Sequence, residues 1–401
     1  MAVRTRAQTY ALVGHNTADI ENQANARLAL LAAKTGVTTR NNGDQPRAAL
    51  GNISNVARQS NRLLNKAVKK DRPTRMTKSK ATSSLHSVTS LQPQNEVEPK
   101  SPEAMDTVDV GEIAVAFSEK MVLNIEDIDK NDTDNPQLCC EYVNDIYDYM
   151  RQLERALKVN KDYMENQAIN SKMRTILVDW LVQVHLRFHL LQETLFLTVQ
   201  LIDRYLEIKA VSKDKLQLVG VTAMFIASKY EEMYPPEIGD FVYITDNAYT
   251  QSQIRSMEIQ MLSALNFGLG KPLCIHFLRR NSKAGEVTPK KHTLAKYLME
   301  LTLPDYEMVQ YDPSEIAAAA LCLSMKLLDA EAEWNPTLVH YSTYTESYLM
   351  PIMKKIAAIV HKSPVSKYQA VRSKYASNKF LKISTLPELT STTIQHLAET
   401  S

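Results

Sequence analysis

Few side chains in this chain of 401 residues have types and spacings that could do chemistry. His185 and His189 stand four apart, so one helix face offers two imidazoles to a zinc ion. No nearby carboxylate or third His completes the set, and neither a metal nor a cofactor is expected. His292 and Lys296, also four apart, share a helix face that Arg279, ending the preceding helix, could meet. A guanidinium fork with two further donors suits a phosphate dianion; the plain alternative is three ordinary surface charges. Cys139, Cys140, Cys274 and Cys322 form no C-x-x-C, which argues against a zinc ribbon or disulfide scaffold and suits a reducing compartment. Only 10 residues are Gly, and neither G-x-x-x-x-G-K nor G-x-G-x-x-G occurs, so the usual nucleotide-binding loops are absent. No constellation supports an enzyme.

The elements that position these residues begin late in the chain. Residues 1 to 100 carry 16 Lys+Arg against 6 Asp+Glu, residues 101 to 135 carry 2 against 10, and residues 136 to 401 balance at 29 each. Of the 2 Trp, 18 Tyr and 8 Phe, only Tyr10 and Phe117 precede residue 136. A segment so poor in aromatic anchors cannot bury enough apolar surface to offset chain entropy, so residues 1–135 are expected to be a largely disordered regulatory tail. There is no clean signal-peptide core and no run of ~18 apolar residues, so a soluble intracellular protein without a membrane partner is expected.

From residue 137 the apolar spacing is helical almost throughout and Asn-Gly hairpin signals are missing, which predicts an all-α fold. Asp312, Pro313 and Glu315 mark one capped helix start, and Thr250 with Gln253 marks another. Thr222 to Lys229 and Ala319 to Lys326 are both small-residue, all-round-apolar stretches ending in Lys, so each predicts a central helix. Each is followed by an aromatic and a proline (Tyr234-Pro-Pro236, Trp334-Asn-Pro336), then by Tyr-Thr (Tyr249-Thr250, Tyr344-Thr345). The offset of about 95 to 100 residues points to an internal duplication and two helical bundles in tandem.

Residues 172–188 carry too many large apolar side chains for one buried stripe. Met173, Ile176, Leu177 and Trp180 lie at i, i+3, i+4 and i+7, either as core or as a docking surface. Met173-Arg-Thr-Ile-Leu-Val-Asp-Trp-Leu181, Leu191-Gln-Glu-Thr194, the stretch from Leu216 to Glu232, and Tyr234-Pro-Pro-Glu237 together resemble the cyclin box. Phe267-Gly-Leu-Gly270, His276-Phe-Leu-Arg-Arg280 and Lys382-Ile-Ser-Thr-Leu-Pro387 resemble the mitotic B-type cyclins in particular. The likeness covers nearly all of residues 137–390.

That resemblance implies a tandem repeat of two five-helix cyclin folds. The first box would occupy 136–267, with a short helix around 138–156 packed across it; the second would occupy 268–363, and 364–401 would form a C-terminal segment. It also implies a chain with no catalysis of its own, which binds and activates a mitotic cyclin-dependent serine/threonine kinase as a heterodimer. Lys229 and Glu258 map to the kinase interface, with Ile226, Tyr230, Met261 and Leu262 as apolar anchors. A rigid helical face pressed on the kinase C-helix would order its catalytic Glu–Lys pair. Without the resemblance, Lys229 reads as the complement of a helix C-terminus and Glu258 as a solvated charge. Arg174 and Asp203 correspond to a buried ion pair with a structural role.

Met173, Ile176, Leu177 and Trp180, with Gln217, correspond to a substrate-docking patch. Gln183 stands where some cyclins place an acid and Lys213 where an Arg is expected, which implies a weaker, more apolar groove. Arg279, His292 and Lys296 match a pocket for phosphorylated protein substrates.

In the tail, Arg47-Ala-Ala-Leu-Gly-Asn-Ile-Ser-Asn55 resembles a destruction box, with Arg47, Leu50 and Asn55 read by the anaphase-promoting ubiquitin ligase. Arg27 to Leu30 and Arg187 to Leu190 also fit a bare R-x-x-L, but Asn55 and the Lys-rich setting (Lys66, Lys69, Lys70, Lys78, Lys80) single out the first. Ala116 to Ile125 resembles a cytoplasmic-retention and export segment, which implies shuttling between cytoplasm and nucleus. Ser101-Pro102 is a proline-directed phosphosite. The rival reading is a cyclin-like nucleic-acid-binding transcription adaptor with its basic tail on DNA. Its usual zinc ribbon is missing and the folded part is neutral, so no nucleic-acid partner is expected.

Overall fold

The helix-start signals act where the sequence places them. In the computed structural model, which describes residues 125–400, the Asp312 N–H donates to Glu315 Oε2 at 2.7 Å, at a helix start with Pro313 in its first turn. Likewise the Thr250 N–H donates to Gln253 Oε1 at 2.8 Å, and the Gln253 N–H returns to Thr250 Oγ1 at 3.2 Å. The tail's disorder, the destruction box at Arg47, Leu50 and Asn55, Ser101 and nearly all of the retention segment lie outside the described residues.

Among the described residues there are 13 α-helices and no strand. Helix α1 (Val143–Ala156) precedes a first unit of α2 (Ser171–Phe188), α3 (Gln192–Ile208), α4 (Leu216–Glu231), α5 (Ile238–Ile244) and α6 (Gln251–Ala264). The second unit is α7 (Cys274–Ala284), α8 (Pro289–Thr302), α9 (Pro313–Leu328), α10 (Pro336–Ser342) and α11 (Glu346–Lys362). Two short helices, α12 (Ala370–Tyr375) and α13 (Thr392–Glu399), close the chain. None of the described helices is long and apolar enough to cross a membrane.

The duplication seen in the sequence reappears as equivalent positions. Helices α4 and α9 are both third in their units, and Leu218–Ser228 and Pro313–Met325 are buried without a break. Thr250 and Thr345 cap the last helix of each unit. Small residues on the central helices let neighbours approach closely. A Cβ at Gly220 would lie 2.7 Å from Leu177 Cδ1, so any larger residue where α4 crosses α2 would force the Leu177 side chain to move.

One expectation needs correction, since α1 docks its side chains on the second unit rather than across the first. Tyr147 donates to the His276 carbonyl at 3.1 Å and meets Phe277 edge-on, and Arg151 donates to the Tyr341 carbonyl at 3.0 Å. The buried Glu154 accepts from the Ser314 N–H at 3.0 Å and its hydroxyl at 2.6 Å, in the first turn of α9. A carboxylate at a helix N-terminus satisfies donors that have no intrahelical partner. The chain ahead of α1 follows the same path: Asp129 accepts from both Nη atoms of Arg280 at 2.7 Å and from Lys283 at 2.7 Å. At the other end α12 ties the units together. The Ala370 N–H donates to Asp179 of α2 at 3.0 Å, and the Lys374 ammonium meets both oxygens of the buried Glu300 of α8 at 2.6 and 2.9 Å.

Candidate functional site

The last turn of α4 carries Lys229, and α6 carries Glu258 on its outer face; the two form an ion pair. The ammonium also lies 4.2 Å from the centroid of the Phe225 ring. The lysine side chain remains 43% exposed and the glutamate 14%, so the pair sits at the surface with its cation outermost. Tyr230 is exposed and Leu262 half-buried, but Ile226 and Met261 are buried. These two side chains therefore form the floor beneath the face and cannot be surface anchors, because the i±3 and i±4 periodicity turns them onto the core.

Exposed apolar side chains that the sequence reading missed stand on or just after the same two helices. Met233 follows α4, Ile259 follows Glu258, and Phe267 follows α6, each at least two-thirds exposed. Large exposed apolar side chains are common on protein-docking surfaces. The signal in the sequence was Ile259, an apolar residue out of phase with Ile254, Met257 and Met261, which are buried.

On α2 the docking stripe divides. Leu177 and Trp180 are buried, whereas Met173 and Ile176, and Gln217 at the start of α4, are half-buried. Leu177 and Trp180 are thus core, with Leu177 seated against Gly220, and only a narrow apolar strip remains accessible. Gln183, which stands where some cyclins place an acid, donates to Asp179 at 3.3 Å and is so tied into the α12 contact.

The Arg174–Asp203 pair is present and buried, with Nε to Oδ1 at 2.6 Å and Nη2 to Oδ2 at 2.8 Å. Arg174 Nη1 donates to the Leu303 carbonyl at 2.9 Å and Tyr163 donates to Asp203 at 2.8 Å, so the pair reaches from the first unit to the second. Burial by itself would lower the guanidinium's pKa, but the charge and hydrogen bonds of Asp203 outweigh it and the net shift is upward.

Arg279, His292 and Lys296 lie close enough to perturb one another. Burial, then the charges of Lys296 and Arg279, pushes the His292 imidazole down to about 3, leaving it neutral at physiological pH. Its Nδ1 is 2.7 Å from Ser282 Oγ; in the tautomer that accepts the hydroxyl proton, Nε2–H is left as a donor. Lys296 is held below the usual lysine range by burial, and Glu193 opposes that shift. Arg279 is the accessible arginine of its pair. Arg280 is buried, stacked between the rings of Tyr147 and Tyr341 at 5.2 and 4.8 Å, and serves the Asp129 contact.

The Leu191-Gln-Glu-Thr194 motif turns out to be a joint between the units. Gln192 donates to Glu300 at 3.1 Å, Glu193 pairs with Arg279, and Thr194 donates to Glu232 at 2.6 Å. The sequence held the motif but not its partners. The His185 and His189 pair does not converge: His185 is buried with Nε2 2.9 Å from the Leu191 carbonyl, and His189 caps α2 in a left-handed backbone conformation. No cluster of three metal-ligating side chains occurs among the described residues.

Residues 145–270 match the family described as Cyclin, N-terminal domain, and residues 272–389 match Cyclin, C-terminal domain. The chain is 60% identical over 389 residues to the G2/mitotic-specific cyclin-B of Marthasterias glacialis, covering 96% of this chain and 99% of that one. It is 47% identical over 392 residues to G2/mitotic-specific cyclin-B1 of Xenopus laevis, covering 94% and 97%. The G2/mitotic-specific cyclin-B2 of Anguilla japonica is 51% identical over 362 residues, covering 88% of this chain and 91% of that one.

Proposed function

Since this chain belongs to the G2/mitotic-specific B-type cyclins, we propose that it binds a mitotic cyclin-dependent serine/threonine kinase through the α4–α6 face and activates it for entry into mitosis. The chain is a regulatory subunit and not an enzyme. The observation that carries the interface is the surface ion pair of Lys229 and Glu258 on α4 and α6, helices that also carry or lead into the exposed Tyr230, Met233, Ile259 and Phe267. The face rests on the buried central helix α4, so it can press on a partner without yielding, which is what ordering a mobile kinase helix requires. Arg279, His292 and Lys296 supply a guanidinium, a neutral imidazole and an ammonium for the phosphate of a phosphorylated substrate. Met173 and Ile176 offer a weak apolar docking strip. Arg47, Leu50 and Asn55 direct destruction at mitotic exit through the anaphase-promoting ubiquitin ligase, and the segment from Ala116 to Ile125 supports shuttling between cytoplasm and nucleus. The test is co-purification from mitotic extract: a protein kinase should accompany the chain and gain activity with it. A chain that retains no kinase, or a kinase no more active with it than without, overturns the reading.

A further inference from the structure

A buried carboxylate stands inside the cation cluster. Glu193 lies in the first turn of α3 in the first unit, whereas Arg279 and Lys296 come from α7 and α8 of the second. Its side chain is 8% exposed and pairs with Arg279, whose own side chain is 35% exposed. Lys296 makes no ion pair among the described residues, and Glu193 is the main group that offsets the cost of burying its charge. The start of α3 also favours a carboxylate there through the helix dipole. With His292 neutral, Arg279, Lys296 and Glu193 place two cations and one anion together before any ligand arrives.

Resting on the phosphate-site reading above, we propose that Glu193 is an internal competitor for the phosphate group: it occupies Arg279 in the free protein, and a phosphoserine or phosphothreonine dianion binds by taking the guanidinium over. Arg279 has an accessible side from which to turn toward a ligand. Glu193 has no such freedom, being buried against the joint between the units. An arriving anion is repelled by this fixed negative charge in proportion to its own charge. Glu193 therefore weakens a phosphate dianion more than a monoanionic Asp or Glu side chain, and keeps the site weak and readily reversible. The first unit thus sets the affinity of a site whose cations all belong to the second.

The experiment measures binding of three peptides to the full chain: a phosphoserine peptide, its unphosphorylated twin, and a twin with Glu in place of the phosphoserine. Glu193→Gln should tighten the phosphopeptide about tenfold and the Glu peptide about threefold, as twice the ligand charge squares the factor, and leave the unphosphorylated twin unchanged. Glu193→Asp keeps the charge but shortens its reach to Arg279, and should tighten the phosphopeptide by less than Glu193→Gln. Loss of a merely structural residue would weaken binding or leave it alone. Variants that are helical by circular dichroism yet bind the phosphopeptide no better than wild type overturn the proposal. Failure of the underlying phosphate site shows separately, as a wild type that binds the phosphorylated and unphosphorylated peptides alike.

Discussion

Arg174 forks onto Asp203 with two parallel hydrogen bonds of 2.6 and 2.8 Å, and a third donor from the same guanidinium reaches the Leu303 carbonyl in the second unit at 2.9 Å. The pair is thus a tie between the units as well as a neutralised charge in the core. Removing either member strands the other in a low-dielectric interior, which costs about 3 to 5 kcal/mol. Arg174→Ala or Asp203→Ala alone should lower the midpoint of chemical denaturation sharply, while Arg174→Met with Asp203→Leu should recover part of that loss. Single variants as stable as wild type would contradict this.

Lys229→Ala with Glu258→Ala removes the surface pair and the ammonium's contact with the Phe225 ring but no buried apolar side chain, so circular dichroism should keep the helical spectrum. Kinase activation should be abolished, since truncating charged contacts at an interface centre costs about 2 to 5 kcal/mol. A folded double variant that activates normally would remove this face from the interface.

Arg279, His292 and Lys296 replaced together by Ala should erase any preference for a phosphorylated partner peptide over its unphosphorylated twin. The readout is the ratio of the two dissociation constants. A ratio unchanged from wild type would place phosphate recognition elsewhere.

Stability should fall as pH drops from about 7 to 5. His292 is pushed down to about 3 in the folded chain, and His185 is also driven well below its ordinary range by burial, with Lys374 adding to the shift. In the unfolded chain both titrate near ~6.5, so below that pH the unfolded state binds more protons and gains on the folded one. The slope approaches about 1.4 kcal/mol per pH unit for each such histidine. His292→Gln should flatten the dependence of thermal midpoint on pH, and an unaltered slope would assign it to other groups.

In mitotic extract, Arg47→Ala with Leu50→Ala should block ubiquitination, whereas the same changes at Arg27 and Leu30 should not. Equal half-lives for wild type and the Arg47/Leu50 variant would reject the destruction box.

The sequence by itself determined the all-α class, the two central helices, the caps at Thr250 and Asp312, and the duplication. These follow from spacing and from short-range hydrogen bonds, whose partners lie within about four residues of one another. The family was equally legible, because its motifs run in order along the chain. Only the tertiary structure decided which apolar residues face outward: Leu177, Trp180, Ile226 and Met261 turn into the core, while Ile259 and Phe267 are exposed. A helix that is apolar on several sides reads the same whether a given side meets a neighbour or solvent, and the neighbour is distant in sequence. The docking of α1 on the second unit was hidden for the same reason, since Glu154 finds its donors at Ser314, 160 residues on. The Glu193–Arg279 pair spans 86 residues and two units. Charge type and local spacing prescribe no such partner, and only the packing of α3 against α7 brings the two side chains together.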